Sequence, residues 1–484
     1  MPMKGLTMIT FDLDNHSTTP LYEQIYQHIK QAILTGKLQT GEKLPSTRSL
    51  SSHLQVSRNT IDMAYSQLLS EGYVDSIPQK GYYVNAINNL SLSEKSQSSR
   101  EQTSSSQSNR TNYKPIQTKS EQILLYDFSP NAIDTSHFPY SIWKKLMKNA
   151  LDQESSYFLL GDNQGDYSFR LAIQHYLEQS RGVNCDISQI VVGAGADYLL
   201  QLLSQLLNPS DIIAMEDPSY TQANLIFNSM HIRTTAIPVD AEGMNVSKLR
   251  QTLANIAYVT PSHQFPLGSV MSIKRRLELL QWAKEDDNRY IIEDDHDSEF
   301  RYVGRPIPAL QSLDTSQKVI YIGTFSRSIA PAIRVGYMVL PFSLYTLYKE
   351  RLSHYSSTVS RLDQKILTDF MEQGHFERHL NRMKKHYKTK HDTMLEVLQG
   401  FGNVITVIGE NAGLHLVVQV NLPITEQELI YKAKKRGIGL YPISPYYINT
   451  NPKQKAAFLM GFTNLKEQDI KDGLMEFYNL LTQK

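Results

Sequence analysis

Side chains able to act as acids, bases, hydroxyl donors or cations gather directly after short apolar runs in this chain. Glu216-Asp217-Pro218-Ser219-Tyr220 follows one run, Thr260-Pro261-Ser262-His263-Gln264-Phe265-Pro266-Leu267-Gly268 a second, and Glu293-Asp294-Asp295-His296-Asp297 a third. Gly323-Thr324-Phe325-Ser326-Arg327-Ser328 and Arg334-Val335-Gly336-Tyr337 follow a fourth. A carboxylate, an aromatic ring, hydroxyls and an arginine brought together would hold a flat, phosphorylated, nitrogen-containing ring. A separate set lies near the N-terminus: Arg48, then Ser57, Arg58, Asn59 and Thr60, then Lys80 and Gly81. Arginine forks onto guanine O6 and N7, while serine and threonine bond phosphates, so this set suits DNA.

The first set needs strands to carry it. Ile190-Val191-Val192, Ile212-Ile213-Ala214-Met215, Ile256-Ala257-Tyr258-Val259, Tyr290-Ile291-Ile292 and Val319-Ile320-Tyr321-Ile322 are short apolar runs between amphipathic segments. That alternation predicts an α/β domain with a mostly parallel sheet covered on both faces. Ligands of such sheets sit just beyond the carboxyl ends of the strands. From about residue 350 to 484, long helices mix with strands such as Leu414–Val418, predicting a smaller α+β lobe.

The second set needs helices. Leu21, Ile25, Ile29 and Ile33 repeat every four residues on one face, with Pro20 before them and Gly36 after. Ser46 caps a helix through Leu50 and Leu54, and Ser57 caps another through Ile61, Ala64, Leu68 and Leu69, stopped by Gly72. Tyr73-Val74 and Tyr82-Tyr83-Val84, around a turn with Pro78-Gln79-Lys80-Gly81, predict a hairpin. Three helices and a hairpin make a winged helix-turn-helix over residues 1–87. A recognition helix presents its first residues to base edges. Residues 88–120 are polar and serine-rich, with no periodic apolar face, and read as a flexible linker.

At 484 residues, 40% hydrophobic and 20% charged, the chain is expected to be soluble and multidomain. It lacks a run approaching the roughly 18 apolar residues of a membrane helix. The single cysteine, Cys185, excludes an internal disulfide framework, fits the cytoplasm and reads as a small buried hydrophobe. A net charge of +1 argues against coating nucleic acid by charge alone, so DNA contact requires a local patch.

The motifs of residues 18–85 resemble the GntR family of bacterial transcription regulators. The body resembles a fold-type I, pyridoxal-phosphate-dependent aminotransferase, and the fusion resembles the MocR subfamily, whose best-known kind is GabR-like. The resemblance spans nearly the whole chain apart from the linker, giving residues 121–484 as an aminotransferase-like effector and dimerisation domain. It implies DNA contacts at Arg48, Ser57, Arg58 and Thr60. Some members carry an arginine where this chain has Asp62, and an acid there would repel phosphate. In the body it implies that Asp294 pairs with the pyridine nitrogen and that Tyr220 stacks on the ring. Thr324, Arg334 and the backbone amides near Ala196 and Asp197, after Gly193-Ala194-Gly195, would hold the phosphate.

Three positions depart from the pattern. Arg327 stands where the family has its Schiff-base lysine; a guanidinium stays protonated and is a very poor nucleophile. His296 replaces the tyrosine that bonds the ring hydroxyl, and imidazole can still donate there. Asn464 falls where some members carry an arginine for a substrate carboxylate. Lys274 reads as solvated rather than as a replacement nucleophile. Arg327 also offers a contact to phosphate or carboxylate.

The expected function is a regulator that binds a double-stranded DNA operator and senses a small molecule, pyridoxal phosphate or a related anionic or amino compound. The cofactor would be held non-covalently or lost, and transaminase activity would be absent. The resemblance implies a head-to-tail homodimer. Two alternatives are an aminotransferase with an accessory DNA-binding module and a purely structural dimerisation domain.

Overall fold

The computed structural model describes residues 13–14, 17, 19–86, 124–153, 155–302, 307–449 and 455–482; the expected linker lies outside them. The chain divides into two compact units, Met1–Pro115 and Ile116–Lys484.

In the first unit, α1 (Leu21–Leu34) buries Ile25, Ile29 and Ile33 together with Tyr26. Helix α2 (Thr47–Leu54) is capped by Ser46, whose hydroxyl accepts the Ser49 amide at 3.1 Å. Gln55 then adopts the left-handed conformation that turns the chain into α3 (Arg58–Ser70), capped by Ser57. Strands β1 (Val74–Ile77) and β2 (Gly81–Val84) pair antiparallel with Val74 opposite Val84. Leu50, Ile61, Ala64, Tyr65, Leu68, Val74 and Val84 close one core under these elements. The three-helix-and-wing architecture is the one the spacing predicts.

The second unit is built on an eight-stranded sheet. Its order is Ile190–Gly193, Gly336–Val339, Val319–Thr324, Tyr290–Asp295, Ile256–Val259, Ile212–Asp217, Arg233–Asp240, Gly243–Met244. Five neighbouring strands from Val319–Thr324 to Arg233–Asp240 run parallel. Gly336–Val339 is antiparallel to both of its neighbours. Arg233–Asp240 escapes an apolar reading because it is half-exposed and carries Arg233, two threonines and Pro238. The central strands are buried on both faces, as parallel strands covered by helices must be. Cys185 is buried and its thiol is pushed up to about 12 by burial.

A smaller antiparallel sheet takes Ile405–Ile408, His415–Val420, Ala457–Gly461 and Tyr441–Pro442 in order. Its lobe does not start near residue 350. Leu344, Tyr348, Ile366, Leu367, Phe370 and Phe376 pack in the cores of the large sheet, and past residue 350 the first buried residue of the small-sheet core is Met383. The small lobe also takes in a piece from far upstream: Tyr126–Asp127 pairs with Ile438–Gly439, and Phe128 lies in the same core. Chain order could not reveal this, because the lobe's core is assembled by packing from separated segments, Phe300 and Tyr302 included.

Candidate functional site

Alternation along Tyr290–Asp295 sorts its carboxylates, since successive side chains point to opposite faces of a sheet. Glu293 and Asp295 share one face. Glu293 accepts the amides of Leu310 and Gln311 at 2.7 and 2.8 Å, and Asp295 pairs with buried Arg181 at 2.7 Å. Both are internal struts. Asp294 points the other way, lines the pocket and accepts a hydrogen bond from the Tyr258 hydroxyl. Burial pushes its carboxyl up from the ordinary value, opposed by His296 and by that hydrogen bond. A cationic ring nitrogen beside Asp294 would favour its ionised form.

Arg334 and the start of the helix Ala196–Ser204 make the anion end of the pocket. Arg334 has φ +50°, in the left-handed region that few non-glycine residues occupy. From there its guanidinium reaches Asp197 at 3.1 Å and the carbonyl of Ala194 at 3.4 Å. Gly195, at φ +84°, precedes the helix, and a Cβ there would come within 3.2 Å of the Arg334 guanidinium. Only glycine leaves this cradle open. Amides of a helix N-terminus beside an arginine and the half-buried Thr324 make a donor set suited to phosphate.

Every residue expected to bind the cofactor lines this one pocket: Ala196, Asp197, Tyr220, Asp294, His296, Thr324, Arg327 and Arg334. Thr260, Phe265 and Ser326 line it too and were not singled out from sequence. Their signal was present, because all three stand in the motifs that follow strands. Phe265 packs edge-on against Tyr220 and His296, with ring centres 5.9 and 5.5 Å apart, and so fixes both rings. The Thr260 hydroxyl also donates to Glu216 at 3.0 Å, tying two strand ends together.

His296 is supported from behind. His263 Nδ1 lies 3.0 Å from both carboxylate oxygens of Asp297, and His296 Nε2 lies 3.3 Å from one of them. Asp297 is deeply buried; these histidines hold its carboxyl well below the usual range despite the cost of burial. A Cβ at Gly413 would fall 2.0 Å from the His263 ring, so glycine is required for this pair to fit.

Arg327 does not sit idle in the wall. It donates to the carbonyl of Pro130 at 2.9 Å and to the side-chain oxygen of Asn131 at 3.0 Å. Among the described residues, no lysine lines the pocket. The side chain of Lys274 is 77% exposed and 4.0 Å from Glu278, as a solvated helix residue should be. Asn464 is exposed in a turn and is not part of the pocket lining. The lining thus holds a carboxylate, an aromatic face and a phosphate-type donor set of the kinds a phosphorylated pyridine takes, and among the described residues it holds no lysine.

In the first unit Arg48, Ser57, Arg58 and Asn59 are exposed and Thr60 is half-buried. Ser57 accepts the Thr60 amide at 3.1 Å and shares a 2.7 Å hydroxyl contact with Thr60, so both side chains are partly committed to the cap. Arg58 remains 69% exposed in its side chain, with Asp62 one turn on at 3.7 Å. That loose pair leaves the guanidinium available, while Asp62 adds local negative charge. Lys80 is exposed in the hairpin turn and Gly81 opens β2 at φ +108°.

Residues 126–466 match the family of aminotransferases of class I and II, and residues 21–84 match the gntR family of bacterial regulatory proteins. The HTH-type transcriptional regulator YdeL of Bacillus subtilis is 40% identical, over 96% of this chain and 98% of its own. The probable rhizopine catabolism regulatory protein MocR of Rhizobium meliloti is 31% identical, over 96% of this chain and 94% of its own. A kynurenine aminotransferase of Pyrococcus horikoshii, solved with PMP, superimposes with a TM-score of 0.67 at 26% identity, covering 75% of this chain and 93% of its own. A DNA-reading winged helix joined to an aminotransferase-like domain, matched along nearly its whole length, places this chain in the MocR subfamily of GntR-type transcription regulators.

Proposed function

We infer that this regulator reads its operator through Arg48, Ser57, Arg58, Asn59 and Thr60, with Lys80 and Gly81 at the wing, and senses a small molecule in the aminotransferase-like pocket. The observation that carries the sensing half is the convergence of Asp294, Tyr220, Thr324, Arg334 and the Ala196–Asp197 helix start on one cavity. Asp294 would bond the ring nitrogen and Tyr220 would cover the ring face. His296, backed by Asp297, would donate to the ring hydroxyl. Arg334, Thr324 and the helix amides would take the phosphate.

Pyridoxal phosphate, when bound to a lysine, supplies an electron sink for amino-group chemistry. Here Arg327 occupies that place, and a guanidinium neither attacks a carbonyl nor moves the substrate proton at neutral pH. The pocket is therefore read as a non-covalent binding site without transaminase turnover. The domain divisions are read as 1–87, 88–120 and 121–484, with a head-to-tail homodimer presenting two winged helices to paired half-sites. Ligand control requires unequal affinity for two states of that assembly. Among the described residues no helix is long and apolar enough to cross a membrane.

The test is selection of bound fragments from genomic DNA by the full-length protein, followed by fluorescence anisotropy on the selected fragment with and without pyridoxal phosphate. Saturable, sequence-selective binding that shifts with the ligand supports the reading. Sequence-selective binding indifferent to every pyridine phosphate would remove the sensing half. Keto-acid formation from amino acids by the natural protein would instead establish the enzyme.

A further inference from the structure

Two guanidinium groups line the pocket, and they differ in how their charge is met. Arg334 is matched by Asp197 at 3.1 Å. Arg327 bonds only neutral oxygens in its described contacts, the carbonyl of Pro130 and the amide oxygen of Asn131. The other carboxylates at this end are already engaged: Asp294 accepts from Tyr258 and Asp297 lies against His263. A guanidinium carries five N–H donors and keeps its charge at any physiological pH. With two bonds made to neutral groups, Arg327 retains both an unmatched charge and spare donors.

Its position is also fixed. The segment it grips is fastened to the smaller lobe: the Gly461 amide donates to the Phe128 carbonyl at 2.9 Å, and the Thr463 hydroxyl donates to the Ala132 carbonyl at 2.5 Å. Asp134, further along, pairs with Lys390 at 2.9 Å. A cation held at two points loses little freedom when it meets an anion, which sharpens selection by charge.

We propose that Arg327 makes the pocket selective for a ligand with a second acidic group: a phosphorylated pyridine bearing a carboxylate beside the ring, rather than an aldehyde or an amine. This rests on the reading of the pocket as a site for phosphorylated pyridines. The same residue that removes covalent chemistry thus supplies the specificity. A carboxylate near Arg327 gains a charge-assisted, bidentate partner, and an ammonium at the same place meets like charge.

Calorimetric titration of the full-length protein tests this with four probes: 4-pyridoxic acid 5'-phosphate, N-phosphopyridoxyl glycine, pyridoxal 5'-phosphate and pyridoxamine 5'-phosphate. At least one of the two carboxylate probes is expected to bind about tenfold or more tightly than pyridoxamine phosphate. Which one does so distinguishes an acid on the ring from the carboxylate of an amino-acid adduct. In Arg327→Gln the preference is expected to fall within about threefold, and the ranking in the natural protein decides the matter even if that variant fails to fold. Equal or tighter binding of pyridoxamine phosphate overturns the proposal while leaving the pocket reading intact. Failure of all four probes to bind overturns both.

Discussion

Arg327 and Asn131 are joined by a 3.0 Å hydrogen bond, although they are far apart in sequence and belong to different lobes of the second unit. Where the family resemblance implies a lysine that bonds the cofactor, this chain carries a cation that bonds its own backbone and a neighbouring amide. Arg327→Lys restores an amine at the pocket wall. With pyridoxal phosphate that variant is expected to gain a visible absorbance band that borohydride traps in stoichiometric amount, and the natural protein is expected to show none. A trapped band in the natural protein would mean that another lysine reaches the pocket.

Arg334 sets a side-chain cation against Asp197 and the Ala194 carbonyl at the helix start. Replacing it by leucine would remove the charge-assisted phosphate contact proposed above and leave the helix amides. Affinity for a phosphorylated pyridine is expected to fall about tenfold or more, while the unphosphorylated ring loses little. An equal loss for both would show that Arg334 acts through the shape of the pocket.

Arg58 is exposed at the start of α3, where the proposed reading puts a contact to a base edge. Arg58→Ala is expected to weaken operator binding by about 1–3 kcal/mol and to relax base preference at one position. Lys80→Ala is expected to weaken binding to all sequences alike and to reduce the salt dependence by about one ion. Anisotropy titrations over a range of salt separate the two. A purely non-specific loss in Arg58→Ala would reassign that residue to the phosphate backbone.

Ser57 has a second task as the cap of α3. Ser57→Ala is expected to cost about 0.5–2 kcal/mol in the stability of the first unit, whereas Ser57→Asp should keep the cap. Denaturant unfolding of the full-length protein, followed by a probe in the first unit, measures this independently of DNA.

His415 gives the second unit a pH dependence. It is buried, donates from Nε2 to the Pro266 carbonyl at 3.0 Å, and its imidazole is pushed down to about 3, first by burial and then by His263. Between that value and the ordinary histidine value of about 6.5, the unfolded chain takes up a proton that the folded chain refuses. The stability linked to His415 is therefore complete above about pH 6.5 and is lost as pH falls towards 3. From pH 7 to 5 the loss is about 2 kcal/mol. Denaturation at pH 5 and 7 is expected to show a smaller difference in His415→Gln, and an unchanged difference would assign the acid sensitivity elsewhere.

Much of the local structure was written in the sequence because caps, turns and apolar periods are local physics. Ser46 and Ser57 announced their helices, and Leu21–Leu34 appeared with the bounds its four-residue repeat required. Polar motifs placed just after apolar strands announced the pocket, since a parallel sheet exposes those ends together. Arg327 was equally legible, because residue type alone decides whether an amine is present. Which carboxylate of Glu293-Asp294-Asp295 faces the pocket was named only through the family resemblance, since residue types alone do not say which face of the sheet each side chain takes. Nor could it show that Arg327 grips Pro130 and Asn131, that Asp297 and His263 back His296, or that the small lobe borrows Tyr126–Phe128. These are contacts between distant segments, fixed only when packing brings the sheets and helices together.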